Sequence, residues 1–573
     1  MDHPQVTVPA SPRPRVPASN FFITTAIDYT NGAPHIGHAY EKVLADVIAR
    51  YQRLAGREVF FLTGVDQHGQ KVQQSAEKAG IAPQEYVDGI TAKFRALWTK
   101  LGVNYDGWAA TTEASHKACV QTLLQRLHDE GQLYKAKQSG YYSVRQEQFL
   151  TEKERGPDGE FGPEWGEVIL VEEENWWFKL AQHKQWLLDL LDKRPELVVP
   201  NFRLAELRNA ITKLEGDLCI SRPKSRLTWG IELPFDRDYV TYVWFDALVN
   251  YISFAPGFLE FEAETRRRGD TENPRVPASP RPPLEFEKWW PAVHVIGKDI
   301  MVPAHGVYWP IMLKAIGFTD DEMPQLLVHG WWNISGEKMS KSLGNVVDPD
   351  VLADKYGAAA VRYYLVADIA TGKDSDFSEE RLIQRYNVDL ANSLGNLLNR
   401  SLNMAGKYRE STLRNARLDE ATGHPHPFNT AERFNGPGGV VNLDDHKNTF
   451  KDSVKGYRLL MDDSQINLAL MEIAKRVMDC NQLVDASAPW KLAKDPAQAD
   501  RLDAVLYTLA ESLRILAILI SPVLPQAAEG IFAQLNWTGP MTLAAATWGG
   551  LPDGHQLGKP VPLFPRIEAA PAA

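Results

Sequence analysis

Phe21-Phe22-Ile23-Thr24-Thr25-Ala26-Ile27-Asp28-Tyr29-Thr30-Asn31-Gly32-Ala33-Pro34-His35-Ile36-Gly37-His38 is the stretch whose reading decides the fold. Its first seven residues are β-branched and aromatic and read as a buried strand. Asp28 to Pro34 is built of turn formers. From Ile36 apolar residues recur at threes and fours, through Ala39, Val43, Val47, Ile48, Tyr51 and Leu54, and Gly56 stops the pattern, so a helix is expected there. Glu58 to Val65 reads as the next strand. Strand, helix and strand in this order open a parallel sheet with right-handed crossovers. Leu326-Leu327-Val328-His329, punctuated by Gly330 and Gly336, reads as a late strand of the same sheet.

Outward from this unit the texture changes. Residues 106–225 mix short strand signals (Gly140 to Val144, Glu167 to Val171) with polar turns such as Arg155 to Gly162, the mark of an inserted domain. Residues 20–105 and 226–340 are therefore assigned to a Rossmann-like catalytic domain split by a connective domain at 106–225. Val8-Pro9-Ala10-Ser11-Pro12-Arg13-Pro14, in a Pro-rich arm at 1–19, recurs as Val276 to Pro282 within a low-complexity insertion at 265–284. Such an identity reads as linker material. Residues 341–378 link to a helical region, 379–573, in which Leu390, Leu394, Leu397, Leu398 and Leu402 form one stripe; Leu468 to Met478 and Leu502 to Ile520 repeat the pattern. Residues 418–455, rich in Gly, Asn, Asp and His, are expected to interrupt that bundle as a polar loop. The expected fold class is α/β, a doubly wound parallel sheet with an inserted connective domain, followed by an all-α bundle.

Composition narrows the function classes. With 62 Lys and Arg against 73 Asp and Glu the net charge is −11, which excludes a polycation that coats nucleic acid while leaving room for a local basic face. Cys119, Cys219 and Cys480 form no CxxC pair, so neither a disulfide framework nor a cysteine zinc site is expected. The longest apolar run, Ile515 to Pro525, falls well short of the roughly 20 residues that span a bilayer. The Pro-rich start has no apolar core of the kind a secretory signal needs. A cytoplasmic chain without membrane contact is expected.

Two short motifs carry chemistry. His35-Ile36-Gly37-His38 lies where the first strand hands over to its helix, at the end of a strand where doubly wound sheets bind ligands. Read alone, the histidines are either helix caps or contacts to an anion at the helix start. Lys338-Met339-Ser340-Lys341-Ser342, between Gly336 and Gly344, puts mobile positive charge into a glycine-bracketed loop without being a Walker loop. Read alone it is a solvated turn or a polyphosphate contact.

Together the two motifs resemble the HIGH and KMSKS signatures of class I aminoacyl-tRNA synthetases, letter for letter. The resemblance is specifically to the methionyl-tRNA synthetase family and runs from Asn20 through nearly the whole chain. It is carried also by Thr63-Gly64-Val65-Asp66-Gln67-His68-Gly69, Tyr242-Val243-Trp244-Phe245-Asp246-Ala247, Gly297-Lys298-Asp299-Ile300, Trp309-Pro310 and Ala488-Pro489-Trp490. The resemblance implies activation of L-methionine with ATP and Mg2+, then transfer to the 3′ end of tRNA(Met) for initiation and elongation. It implies that His35, His38, Lys338 and Lys341 are catalytic and that His35, Gly37, His38, Lys338, Ser340 and Lys341 hold ATP. It implies a methionine pocket of Ile27, Tyr29, Asp66, Trp244, Ala247, Tyr251 and His305. It also places Arg222 near the cleft and anticodon contacts at Asn396, Arg400, Asn481, Pro489 and Trp490.

The residue types make sense of these assignments. Trp244, Ala247 and Tyr251 share one helix face, and a small residue between aromatics makes a slot for an unbranched thioether. Asp66 ends a strand, where its carboxylate suits an ammonium. Asn396 and Arg400 are one turn apart, and Pro489 with Trp490 supplies a rigid turn and a stacking platform for an unstacked base.

The chain also departs from the pattern. Tyr141 to Glu147 lacks the paired cysteines of a zinc knuckle, so no structural zinc is expected. Ala304 stands before His305 where relatives have an aromatic or proline, in a stretch that reads one residue longer, and Leu218 replaces a tryptophan. No dimerising tRNA-binding module follows the bundle, so a monomer is expected. The rival readings are a catalytically inactive RNA-binding paralogue and a class I synthetase for another amino acid. The first conflicts with the intact His35, His38 and Lys341. The second would need a large editing insertion, for isoleucine, valine or leucine, or cysteine ligands, for cysteine.

Overall fold

A computed structural model describes residues 20–143, 148–150, 152–156, 158–259, 285–339, 346–418, 425–427, 433–436 and 439–568. The arm at 1–19 and the insertion at 265–284 lie outside the described residues. The chain divides into two compact units, one within 1–34, 60–98 and 104–329 and the other within 35–59, 99–103 and 330–573. It opens with β1 (Asn20–Thr25), β2 (Asp28–Tyr29), α1 (Ile36–Leu54), β3 (Glu58–Asp66), α2 (Gln70–Ala79), α3 (Pro83–Lys100), β4 (Gly107–Ala110) and α4 (Ala114–Asp129). The expected helix and second strand are thus both present, with Gly56 just past the helix end at φ +91°.

In the first unit the strands continue as β5 (Leu133–Ser143), β6 (Gln148–Leu150), β7 (Val168–Phe178), β8 (Val198–Val199), β9 (Leu218–Cys219), β10 (Ser221–Pro223), β11 (Tyr239–Thr241), β12 (Val293–Gly297) and β13 (Gln325–His329). The helices are α5 (Lys184–Lys193), α6 (Phe202–Thr212), α7 (Val243–Ser253), α8 (Glu285–Trp289) and α9 (Trp309–Ala315). Seven strands form one sheet in the order β2-β3-β1-β12-β13-β8, with β4 also on β3. β1 runs parallel to β12, β12 to β13, β13 to β8, and β3 to β2 and β4. Phe22, Ile23, Leu62, Val295, Ile296 and Val328 are buried, as an apolar sheet covered on both faces requires.

The inserted region forms a separate antiparallel sheet in the order β6-β5-β7-β9, dominated by the long β5–β7 ladder from Leu133↔Phe178 to Ser143↔Val168. Two strands inside 106–225, β4 and β8, pair in the parallel sheet instead. The boundary read from composition is therefore wider than the antiparallel sheet, because short buried strands carry too few residues to shift local texture.

The second unit holds α1 and, after the small sheet of β14 (Trp332–Ile334), β15 (Glu337–Lys338) and β16 (Ser375–Asp376), a run of helices. These are α10 (Pro349–Tyr356), α11 (Ala358–Ala367), α12 (Glu379–Arg385), α13 (Asn396–Arg409), α14 (Leu443–Asp462), α15 (Ile466–Ser487), α16 (Ala499–Ile520) and α17 (Pro525–Leu535). The leucine stripe from Leu390 to Leu402 is buried, as is all of Leu502 to Ile520.

Two expectations are corrected here. Residues 418–455 are not one polar loop: β17 (Ala416–Leu418) pairs with β18 (Pro425–Pro427), β19 (Arg433–Gly436) with β20 (Gly439–Asn442), and from Leu443 the chain is α14. Asn442 caps that helix by accepting from Asp444 N at 2.9 Å and Asp445 N at 3.0 Å, and Leu443, His446, Phe450 and Tyr457 are buried. From Leu443 on, the polar residues belong to the solvent face of an amphipathic helix. In α15 the ends of the expected stripe, Leu468 and Met478, are exposed; Ala469, Leu470, Ile473, Val477 and Val484 are buried instead.

Arg362 of α11 ties this second unit together. It is buried and donates to Asp46 Oδ2 of α1 at 2.6 Å, Leu101 O at 3.1 Å, Val523 O at 3.0 Å and Pro522 O at 3.3 Å. Tyr51 adds a second tie from α1, to Asp462 Oδ1 at 2.7 Å. Removing one member of a buried pair strands the other. Arg362→Leu is therefore expected to lower unfolding free energy by about 3–5 kcal/mol, measured by urea titration; an unchanged midpoint would show that the carbonyl contacts carry no load.

Candidate functional site

In the first unit, residues assigned to the methionine pocket gather around α7. Trp244, Ala247 and Tyr251 do lie on one face of it, with Trp244 half-buried and the other two buried. His305 follows β12 in Met301–Tyr308, which winds as a wide π-type turn interrupted by extended Val302. Such a turn takes up an extra residue and recurs at functional sites. His305 Nδ1 lies 2.9 Å from Ile300 O, so that nitrogen carries the proton and the opposite one, Nε2, accepts from Tyr251 Oη at 2.7 Å. The Trp244 ring meets His305 edge-on at 6.2 Å.

Beneath Tyr251 lies a residue the sequence reading missed. His294 stacks on the Tyr251 ring at 4.1 Å, contacts Thr24 Oγ1 through Nδ1 at 2.7 Å and accepts from Trp309 Nε1 at 3.1 Å. Complete burial pushes its pKa well below the usual histidine range, aided by nearby His305, so the ring is neutral. The only signal for it was a histidine inside an apolar strand.

Asp66 ends β3 with its backbone bonded to Thr30 N at 3.0 Å and its Oδ1 3.4 Å from His68 N and from Thr111 Oγ1. Tyr29 pairs in register with Asp66. Its hydroxyl rests on the turn at Gly69, where φ is +106° and a β-carbon would come within 2.6 Å of Tyr29 Oη, so only glycine fits. Ile27, half-buried between β1 and β2, packs on the same apolar core. Sequence reasoning also quoted, without giving them roles, His68 and Asp246, which the fold joins at 2.6 Å. Arg222 is buried, donates to Ser221 O at 2.7 Å and lies over the Tyr242 ring at 4.6 Å.

In the second unit the start of α1 is organised by its two histidines. His35 caps the helix by accepting from Gly37 N through Nδ1 at 3.1 Å, and His38 Nδ1 accepts from His35 N at 3.1 Å. The rings stack at 3.7 Å. A β-carbon at Gly37 would press on the His35 ring at 3.0 Å, which explains the glycine between them. The capping reading therefore holds, and it has a chemical consequence: with Nδ1 accepting, each neutral ring carries its proton on Nε2. Ile36 N also donates to Val347 O at 3.1 Å, pinning the chain that follows the lysine loop to the start of α1. Lys338 lies in β15 opposite Asn333, after a hairpin turn in which Ser335 and Gly336 are both left-handed, at φ +53° and +80°. Ser340, Lys341 and the Lys338 side chain lie outside the described residues.

Among the helices, Asn396 is exposed and Arg400 pairs with Asp485 Oδ1 at 3.1 Å. Asp485 is one turn beyond Asn481 on α15, so Arg400 and Asn481 share one surface. Trp490 follows the left-handed Ala488 and buried Pro489 on a single helical turn and is 41% exposed, which excludes a core role.

Among the described residues no group of three His, Cys, Asp or Glu is placed to hold a metal, and Cys119, Cys219 and Cys480 are buried and in no disulfide. Arg155 stacks on Tyr141 at 4.6 Å and Phe161 at 4.5 Å. No helix of the described residues is long and apolar enough to cross a membrane.

The family model described as tRNA synthetases class I (M) matches residues 21–158 and 166–402, and that of the anticodon binding domain of methionyl tRNA ligase matches 441–572. The methionine–tRNA ligase of Deinococcus radiodurans is 40% identical over 566 residues, covering 98% of this chain and 76% of its own length. That of Bacillus subtilis is 39% identical over 570 residues, covering 96% and 78%. The structure of Mycobacterium tuberculosis methionyl-tRNA synthetase in complex with methionyl-adenylate superposes with a TM-score of 0.81 at 34% identity, over 96% of this chain and 100% of that one. On motifs, fold and these likenesses together, the chain belongs to the methionyl-tRNA synthetase family of the class I aminoacyl-tRNA synthetases.

Proposed function

We propose that the chain activates L-methionine with Mg-ATP and transfers the methionyl group to tRNA(Met), for initiation and elongation alike, as a cytoplasmic monomer. The observation that carries the choice of amino acid is the hydrogen-bond chain from Tyr251 through His305 to Ile300 O. It engages the polar atoms of Tyr251 and His305 with one another and with the backbone, so these two side chains offer a ligand ring surface, as does Trp244 edge-on to His305. A flexible, polarisable thioether matches such a slot, whereas a charged side chain would lose its hydration. Ile27 and Tyr29 complete the wall, Ala247 leaves the room, and Asp66 takes the ammonium.

Adenylation forms one bond and breaks one. A methionine carboxylate oxygen attacks the α-phosphorus in line, and pyrophosphate leaves as the bridging Pα–O bond breaks. No covalent enzyme intermediate is needed, so rate comes from positioning and charge stabilisation. The Nε2–H groups of His35 and His38 suit phosphate oxygens, beside the positive end of α1, and Gly37 keeps that approach open. Lys338, Ser340 and Lys341 then receive the charge that develops on pyrophosphate. A terminal ribose hydroxyl of the tRNA next attacks the carbonyl, and AMP leaves. Asn396, Arg400, Asn481, Pro489 and Trp490 read the anticodon, with exposed Trp490 as the stacking surface. The Arg400–Asp485 pair is a partly exposed one of the weak kind, so the guanidinium is readily redirected to a base.

Tested with each of the twenty amino acids separately, ATP–pyrophosphate exchange without tRNA is expected with methionine alone. Exchange with a different amino acid would keep the mechanism and discard the pocket, and none with any would favour an inactive RNA-binding paralogue. Lys341→Ala should slow exchange by about 100-fold or more with unfolding unchanged; near-normal exchange would remove the loop from the mechanism. Trp490→Ala should cut tRNA charging about 10- to 100-fold, the worth of one stacked base, and leave exchange intact. Equal loss in both assays would make Trp490 a structural residue.

A further inference from the structure

The first unit contains a buried ionic device that the mechanism above does not use. Asp246 lies in the otherwise apolar run Val243-Trp244-Phe245-Asp246-Ala247-Leu248-Val249 of α7 and is fully buried. A carboxylate there is costly unless each oxygen is matched. Both are: Oδ2 lies 2.6 Å from His68 Nδ1, and Oδ1 lies 2.7 Å from His116 Nε2. The other nitrogen of His116, Nδ1, lies 2.7 Å from Ser253 Oγ, and its ring stacks on Phe254 at 5.5 Å.

The placement of these groups gives them a shared role. Asp246 and Ser253 are seven residues apart and so lie on one side of α7, opposite Trp244, Ala247 and Tyr251. His116, fixed in α4, is bonded to both and grips the back of the helix at two points two turns apart. His68 belongs to the turn that leaves β3, two residues beyond Asp66, and its N–H lies 3.4 Å from the Asp66 carboxylate. The next residue is Gly69, on which the Tyr29 hydroxyl rests.

We propose that Asp246 is a positioning residue for methionine recognition, holding the thioether slot on α7 in register with the ammonium-binding turn at Asp66 through His68 and His116. This rests on the methionine reading above. The two halves of the pocket come from separate parts of the chain, and apolar packing alone sets neither the rotation nor the axial position of a helix closely. Two directional charge-assisted bonds to one carboxylate, with a third at Ser253, set both. Burial opposes the charge on Asp246, but His68 and His116 outweigh it and hold the carboxyl below its usual range, so both bonds run to a carboxylate.

Asp246→Asn keeps the shape and removes the charge. In methionine-dependent exchange, corrected for active-site concentration, it should raise KM for methionine about tenfold, the effect of losing one charge-assisted bond, while KM for ATP stays within about twofold. A folded Asp246→Asn enzyme with wild-type KM for methionine and only a lower melting temperature would overturn the proposal, leaving the bridge a purely structural contact. Should that variant not fold, Ser253→Ala takes its place, with an expected rise of about threefold in the same constant and an unchanged value counting against it. Wild-type chain that gives no exchange with methionine would refute the reading of the reaction, a result distinct from either.

Discussion

The parallel pairing of β1 with β12, from Ile23↔Val293 to Thr25↔Val295, is the constraint on which the first unit depends. It joins segments some 270 residues apart in the chain, so everything between them must leave and return to the sheet. Once strands run parallel, their carboxyl ends emerge along one edge, and ligands gather there. Ile27 leaves β1 at that edge, Asp66 ends β3, and His305 follows β12. Three residues of the proposed methionine pocket, distant in sequence, thus come from one architectural rule. The Thr24–His294 bond runs across the same pairing, with His294 stacked on Tyr251, so the register of the sheet also sets what lies beneath that proposed pocket.

The second unit has a counterpart in Arg362. A buried guanidinium must satisfy its donors, and this one does so on α1, on Leu101 and on the corner at Pro522 and Val523. The helix that carries His35 and His38 at its start is thereby bonded to the bundle that carries Asn396, Arg400 and Trp490. The Nδ1 atoms of the two histidines complete the helix end, and that use leaves the proton of each neutral ring on Nε2, the atom that the proposed mechanism turns toward phosphate.

Much of this was legible before any coordinates. The strand–helix–strand opening and the helical C-terminal region follow from periodicity, because burial of one face imposes a repeat on the chain, and the inserted domain follows from a change of texture. The α14 segment was misread because composition was weighed over period: Leu443, His446, Phe450 and Tyr457 keep helical spacing among many polar residues. The short strands β4 and β8, which lie within 106–225 but pair in the parallel sheet, are not legible in the sequence because strands of two to four residues have no period to read.

By itself the sequence determined the chemistry on offer: the two motifs, the aromatic face of α7, the carboxylate at the end of β3, and the Pro489-Trp490 turn. Local patterns suffice for these, since they depend on neighbours within one or two helical turns. Only the tertiary structure decided which nitrogen of His305 carries the proton, that His294 underlies Tyr251, and that His68, Asp246 and His116 form one bridge. Most of those facts rest on contacts well beyond a helical turn in sequence, up to the 178 positions between His68 and Asp246. A hydrogen bond depends on ångström distance and angle, and no one-dimensional pattern encodes either.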